Sequence, residues 1–180
     1  ELGHVTAQLN LGWAYSNGIG APQDNDKAFY WYRKAAEQGH PTAQFDLGFC
    51  YVNGLGVEKD EHQAIGWYKK AAEQGHAVAQ LNLGWIYANS PSRKNWEQAV
   101  YWYKQAAEQG DPRAQYNLAW CYEHGKGVPR DLRQARELYQ AAAKQGYAGA
   151  QEAADRMEKD GSRRRGGGFL RGFLDGLRGQ

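Results

Sequence analysis

The sequence predicts an all-α protein, an α-solenoid in which helix-turn-helix units stack along one axis. The segment Gly-His-x-x-Ala-Gln begins at Gly3, Gly39 and Gly75, with related openings at Gly110 and Gly146, so the chain repeats itself every 35 or 36 residues. Self-similarity at this period is typical of stacked arrays. Within each unit the apolar residues recur at helical spacing, and no alternating strand pattern is visible.

The repeat divides the chain into a solenoid over residues 1–160 and a different segment over 161–180. The solenoid consists of units 3–38, 39–74, 75–109 and 110–145 and a half unit, 146–160. Because the chain begins with Glu1, we expect a fragment that lacks its native N-terminus. The sequence leaves the compartment open between the bacterial periplasm and the cytoplasm.

The first helix of each unit is predicted over repeat positions 3 to 15. In unit one its apolar face consists of Ala7, Leu11, Ala14 and Tyr15, which recur at helical spacing. Gly is the residue that most readily adopts the left-handed conformation in which helices end. The first helices are therefore expected to end at Asn17-Gly18, Asn53-Gly54 and His124-Gly125.

The second helix of each unit is predicted to follow an N-cap residue, whose side chain accepts a hydrogen bond from the first turn. These caps are Asp24, Asp60, Asn95 and Asp131. A Gln three residues later predicts a capping box in three units, at Gln63, Gln98 and Gln134. Large aromatic residues alternate with Ala along this helix, a pattern that lets neighbouring helices approach closely.

The pattern is most complete in unit two, which has Ala43, Leu47-Gly48, Tyr51, Gly54-Leu55-Gly56, Ala64, Trp67-Tyr68 and Ala71-Ala72. It resembles the Sel-like repeat (SLR) family of the tetratricopeptide-repeat superfamily over residues 3–160. The resemblance implies a right-handed superhelix whose first helices line a concave surface, and an adaptor role in assembling membrane-associated or signalling complexes. Two units depart from the pattern, with Asn89-Ser90-Pro91-Ser92 in unit three and with Ala119 and Leu138 in unit four.

Composition argues against nucleic-acid binding and membrane insertion. Lys and Arg total 22 against 20 Asp and Glu, a balance unlike the basic excess of nucleic-acid-binding domains. The mean hydropathy is −0.84, and no apolar run reaches the roughly 18 residues of a membrane-spanning helix.

The residues with reactive side chains are too far apart in the repeat to form a site. Cys50 and Cys121 share one repeat position two units apart, so we expect two buried free thiols. His4, His40 and His76 recur one unit apart and cannot converge on one metal ion. Gly18-Ile19-Gly20 follows a helix, which favours a turn over a phosphate loop. The sequence thus predicts a protein that is not an enzyme and uses no cofactor or metal.

A polar and aromatic row is predicted to bind the partner, a protein or peptide. Repeat positions 8, 11 and 15 share one side of the first helix, because residues three and four apart are neighbours there. Asn offers donors and an acceptor to peptide amides, and aromatic residues are enriched at interfaces. The row is Asn10, Trp13, Asn17, Asp46, Phe49, Asn53, Asn82, Trp85, Asn89, Asn117, Trp120 and His124, and position 7 adds Leu9, Phe45, Leu81 and Tyr116.

Two alternatives to this groove remain open at the level of sequence. Asn10 and its equivalents at position 8 can instead cap or bridge neighbouring helices, while Trp13 and its equivalents merely pack. Trp and Asn also suit the faces and hydroxyls of sugars, so a glycan-binding module is the alternative function. Trp96 is expected to cover the altered loop of unit three, with an exposed contact point as its alternative role.

The last twenty residues differ in composition from the repeats. They hold five Arg and one Asp, so their net charge is +4 and that of residues 1–160 is −2. A Gly-rich linker leads to an apolar peptide that we expect to dock onto the groove of this chain or of a neighbour, which would give self-association. The docking residues are Phe169, Leu170, Phe173, Leu174 and Leu177. A membrane-surface anchor is the rival interpretation, but the segment is short and Gly-rich for one.

Overall fold

The structure, a computed structural model, describes residues 2–89 and 95–159, which form nine α-helices. Four helix pairs are α1 Leu2–Asn17 and α2 Asn25–Glu37, α3 Pro41–Asn53 and α4 Glu61–Glu73, α5 Ala77–Asn89 and α6 Trp96–Glu108, and α7 Pro112–His124 and α8 Leu132–Lys144. The ninth, α9, covers residues 150–159. Each pair packs on the next through its second helix, so the predicted solenoid is confirmed. Helices α3, α5 and α7 span the predicted positions, whereas α1 begins three residues early.

Close helix contacts come from small residues beside tyrosine rings. Ala35, Ala43 and Leu47 are completely buried where α2 meets α3. Within unit two, a Cβ added to Gly48 would lie 2.7 Å from Cδ1 of Tyr68, so the glycine allows the two helices of that unit to approach. Apolar burial along such contacts is what holds neighbouring units together.

The predicted N-caps form, but the capping boxes do not. The Asp60 carboxylate accepts from the backbone N–H of Gln63 at 3.0 Å, and the caps of α2, α6 and α8 are equivalent. In a capping box the Gln63 side chain would accept from the backbone N–H of Asp60. This N–H instead donates to the Tyr51 carbonyl at 3.1 Å. The short loop folds back onto α3, so a backbone acceptor reaches this N–H, and the capping-box prediction is wrong. Asn95 and Asp131 repeat this arrangement.

The Gln that ends the Gly-His-x-x-Ala-Gln signature is buried and joins neighbouring helices. Gln44 accepts from the side chain of Gln74 at 2.8 Å and donates to the Ala36 carbonyl at 3.3 Å. The first bond joins the two helices of unit two, and the second joins unit two to unit one. Gln80 repeats both bonds one unit later. Because a buried amide without partners is costly, these bonds fix the register of neighbouring units.

The half unit closes the stack with a polar outer face. Arg156 of α9 contacts both carboxylate oxygens of Glu123, at 2.7 and 2.9 Å, and the Tyr139 hydroxyl donates to the same carboxylate at 2.9 Å. Its inner face buries Ala150, Ala153 and Ala154. Charged groups outside and alanines inside are typical of a capping repeat.

Candidate peptide-binding groove

Three aromatic side chains of the first helices are exposed although they are large and apolar. The exposed fractions are 54% for Trp13, 46% for Phe49 and 60% for Trp85. They share repeat position 11 in consecutive units, so they form a row along the stack. Contiguous exposed apolar surface of this kind marks interaction sites in soluble proteins.

The row borders a cavity of about 740 Å³ between units two and three. Five predicted site residues line it, namely Phe49, Asn53, Asn82, Trp85 and Asn89. The lining further includes the apolar Val52 and Ile86, with Lys59 and Glu61 as its charged members. A mostly apolar cleft with a few polar groups is the usual form of a binding site.

The asparagines of position 15 hydrogen-bond to their own helices. The Asn53 side chain donates to the carbonyl of Phe49 at 2.9 Å, and Asn17 and Asn89 make the same bond in their units. The bond runs back one turn along the same helix. It occupies one amide hydrogen and does not involve the side-chain oxygen, which is an acceptor with two lone pairs.

The residues of position 8 have different environments in the four units. Asn10 is exposed, whereas Asn117 and Asn82 are half-buried, and Asn82 lines the cavity together with Tyr68. Asp46 is also half-buried, and desolvation raises the pKa of its carboxyl to about 6. This row therefore contains one titratable member among three amides.

Unit four does not continue the exposed aromatic row. Trp120 is half-buried between Trp96, with ring centroids 5.5 Å apart, and His124, whose ring stacks on it at 4.4 Å. The His124 ring also hydrogen-bonds to the Trp120 carbonyl at 2.9 Å. Trp96 thus covers a predicted binding residue. The loop at residues 90–94, which Trp96 was expected to cover, lies outside the described residues.

The residues of position 7 belong to the core, which corrects their assignment to the groove. Phe45 lies between Tyr68 and His76, with ring centroids 5.5 and 4.8 Å away. Leu81 is 7% exposed, and Tyr116 packs edge-on against Tyr139. Position 7 turns towards the second helix of its unit, whereas positions 11 and 15 turn away from it. The face predicted from the sequence therefore included one repeat position, position 7, that belongs to the core.

The remaining candidate groups have structural environments. Cys50 and Cys121 are buried as predicted, and burial raises the pKa of each thiol to about 12, which makes them unreactive. The His76 ring accepts from the Ala79 backbone N–H at 3.2 Å, and burial lowers its pKa. Among residues 2–89 and 95–159 no three His, Cys, Asp or Glu side chains cluster in a way that could hold a metal ion.

Two further findings concern membranes and the tail. Over the same described ranges, no helix is both long and apolar enough to cross a bilayer. The predicted docking residues Phe169, Leu170, Phe173, Leu174 and Leu177 lie outside the described residues.

Comparison with known proteins connects this architecture to solved structures. The crystal structure of c5321, a protective antigen of uropathogenic Escherichia coli with an SLR fold, is 37% identical and superimposes with a TM-score of 0.85 over 87% of this chain and 34% of that one. A Sel1 repeat protein from Oxalobacter formigenes is 39% identical, with a TM-score of 0.79 over 83% of this chain and 62% of that one. The chain thus spans about a third of the first protein and less than two thirds of the second.

A more distant structure shares the fold alone. Cysteine rich protein B of Helicobacter pylori is 24% identical, with a TM-score of 0.57 over 73% of this chain and 95% of that one. No curated protein matches the chain.

The Sel1 repeat model matches four consecutive segments, residues 5–40, 41–76, 77–111 and 112–147. With four such repeats folded as four stacked helix pairs, the chain belongs to the Sel1 repeat family.

Proposed function

We propose that this chain is a non-enzymatic scaffold that binds a peptide segment in the groove along Trp13, Phe49 and Trp85. Proteins built from Sel1 repeats are generally protein-interaction scaffolds. The observation that carries the proposal for this chain is the cavity of about 740 Å³ beside two exposed aromatic rings, Phe49 and Trp85. Exposed apolar rings in a cleft lose water when a ligand binds, which favours binding.

The chemistry of the cleft suits an apolar peptide better than a charged one. Phe49, Val52, Trp85 and Ile86 offer surface to aliphatic and aromatic side chains. The side-chain oxygens of Asn53 and Asn89 are acceptors for peptide N–H groups. Because the units repeat, consecutive side chains of a bound segment would meet similar pockets.

The proposed occupant is an apolar segment like residues 169–177 of this chain. Phe169 follows the last described residue by ten positions, so an extended linker reaches about 33 Å. The segment can be supplied by the same chain or by a second copy.

The test is binding of a labelled peptide of residues 166–180, followed by fluorescence anisotropy. The receptor is the full chain carrying Phe169→Ser and Phe173→Ser, so that its own tail does not compete. We expect saturable binding that Trp85→Ala weakens about thirtyfold, since truncation of a central aromatic anchor typically costs about 2 kcal/mol.

The matched control is Tyr101→Ala, which removes a ring that is 52% exposed on a second helix. This variant should bind the peptide like its parent. Equal losses in both variants, or no binding by the parent, would contradict the proposal. Binding of cell-wall oligosaccharides in place of the peptide would favour the glycan-binding alternative.

A further inference from the structure

One member of the polar row carries a carboxylate. Asp46 occupies in unit two the position that Asn82 occupies in unit three, and Asn82 lines the cavity beside Phe49 and Trp85. Position 8 of unit two is related to Trp13 and Phe49 as position 8 of unit three is to Phe49 and Trp85, so the repeat predicts that half-buried Asp46 lies beside the row between Trp13 and Phe49. The groove therefore has an acidic point at its unit-one end.

Nothing in the described part of the chain neutralises this carboxylate. Asp46 is half-buried, and no hydrogen bond or ion pair from residues 2–89 or 95–159 reaches it, so desolvation is the one cause of its raised pKa. The titratable groups that face it are Tyr32 from α2, Cys50 from its own helix and Tyr68 from α4. Their pKa values are each raised to about 12, so all three are neutral near pH 7.

A partly desolvated carboxylate without a partner is unfavourable, and a cation supplied by a ligand relieves that cost. A guanidinium is suited to this role because it binds a carboxylate through two parallel hydrogen bonds. The chain offers such a group within its own apolar segment, where Arg171 lies between Leu170 and Phe173. The net charges agree with this pairing, being −2 over residues 1–160 and +4 over 161–180.

We propose that Asp46 determines which peptides the groove accepts by pairing with an arginine flanked by apolar residues, and that Arg171 of the C-terminal segment is this arginine. The inference rests on the proposed function, since it names the charged contact of that same groove. According to this inference, a peptide that binds the groove needs a basic residue next to its apolar side chains.

The pairing makes binding depend on pH. Only the ionised carboxylate attracts the guanidinium, and in the free protein Asp46 takes up a proton as the pH falls through about 6. Affinity should therefore be highest above pH 7 and should weaken about tenfold by pH 5, the usual size of a charge-assisted contact. The three neighbouring groups do not titrate in this range, so we expect the effect on the receptor side to come from Asp46.

The experiment uses the same full-length receptor, with Phe169→Ser and Phe173→Ser, and the same labelled peptide. At pH 7.5 we expect Asp46→Asn to weaken binding about tenfold and to make affinity independent of pH between 5.0 and 7.5. The peptide variant Arg171→Gln should lose the same factor on the Asp46 receptor and nothing further on the Asp46→Asn receptor. Asparagine is the residue found at this position in the other three full units, so the variant should fold, which circular dichroism checks.

The matched control is the peptide variant Arg178→Gln, which removes the same charge seven residues away. It should bind like the unaltered peptide. If both peptide variants lose affinity alike, or if Asp46→Asn binds like its parent, the role of Asp46 is overturned while the groove remains. If no peptide binds any receptor, the proposed function itself fails, so the two failures are distinguishable.

Discussion

At the scale of single residues, environment separates side chains that the sequence makes equivalent. Asn82 and Asp46 share repeat position 8, yet Asn82 is a neutral amide that lines the cavity, whereas burial raises the pKa of the Asp46 carboxyl to about 6. Trp85 is 60% exposed, whereas Trp120 at the same position is covered by Trp96. Equivalence in the repeat therefore predicts where a residue lies but not what it contacts.

The raised pKa of the Asp46 carboxyl has a consequence for stability that Asp46→Asn tests. Because this pKa exceeds the usual value of 3.8 in the folded chain, the contribution of Asp46 to stability is fully present below about pH 4 and is lost as the pH rises through about 6. Asparagine carries no such charge. In a chain whose tail is kept from the groove by Phe169→Ser and Phe173→Ser, we expect Asp46→Asn to raise stability by about 1–2 kcal/mol at pH 7.5, allowing for partial exposure, and to leave it unchanged near pH 4.

Urea unfolding followed by circular dichroism at both pH values measures this difference. A stability difference that is the same at pH 4 and pH 7.5 would mean that the carboxyl titrates normally in the folded chain.

At the scale of helices, glycine has opposite effects at a buried and at an exposed position. Gly48 of α3 faces the Tyr68 ring, and Gly66 of α4 has no atom within 4 Å of the place where a Cβ would stand. Unit four has Ala119 at the position of Gly48, buried beside Tyr139, whose hydroxyl is held by Glu123. The close approach is thus a property of each helix pair rather than of the repeat as such.

Alanine at these two glycines should therefore change stability in opposite directions. Gly66→Ala should stabilise the chain by about 0.5–1 kcal/mol, because it relieves the entropic cost of a helical glycine. Gly48→Ala gains the same amount but forces the Tyr68 ring to move, and overpacking typically costs about 1–3 kcal/mol, so net destabilisation is expected. Thermal unfolding of both variants tests this, and stabilisation by Gly48→Ala would show that the contact between α3 and α4 yields easily.

At the scale of the whole molecule, the described part of the solenoid exposes a row of aromatic rings over its first three units and covers the equivalent ring in the fourth. The row begins at Trp13 and stops before Trp120, beyond which the salt-bridged Arg156 and Glu123 cap the stack. The role of the row in binding stays a prediction, as does docking of the C-terminal segment. Both predictions belong to the scale of the whole molecule, because the groove and the C-terminal segment lie in different parts of the chain.

Removal of residues 161–180 tests docking of the segment. If it occupies its own groove, the shortened chain should melt about 2–5 °C lower at every protein concentration, because a bound ligand stabilises the fold. If it occupies the groove of a second copy, light scattering should show a mass that falls on dilution and a monomer after removal. An unchanged melting temperature together with an unchanged mass would contradict docking of either kind.

Much of the architecture can be predicted from the sequence because its determinants are local. The 36-residue period, the cap at Asp60 and the apolar spacing each depend on residues within one turn or loop, and the bounds of α3, α5 and α7 follow from them. Burial of both cysteines follows from the same spacing. The capping-box prediction was wrong for the opposite reason. The acceptor that replaces the Gln63 side chain is the Tyr51 carbonyl, which belongs to the preceding helix.

What the sequence by itself determined is the number, order and pairing of the helices, and the face on which the aromatic row lies. Only the tertiary structure decided which members of that row are open, that Gln44 joins two units and that no described residue pairs with Asp46. These properties depend on atoms from helices about thirty residues apart, as in the bond from Gln74 to Gln44. The spacing along a helix places a side chain on a face, but its solvation and hydrogen bonds are set by whatever the next unit brings against that face.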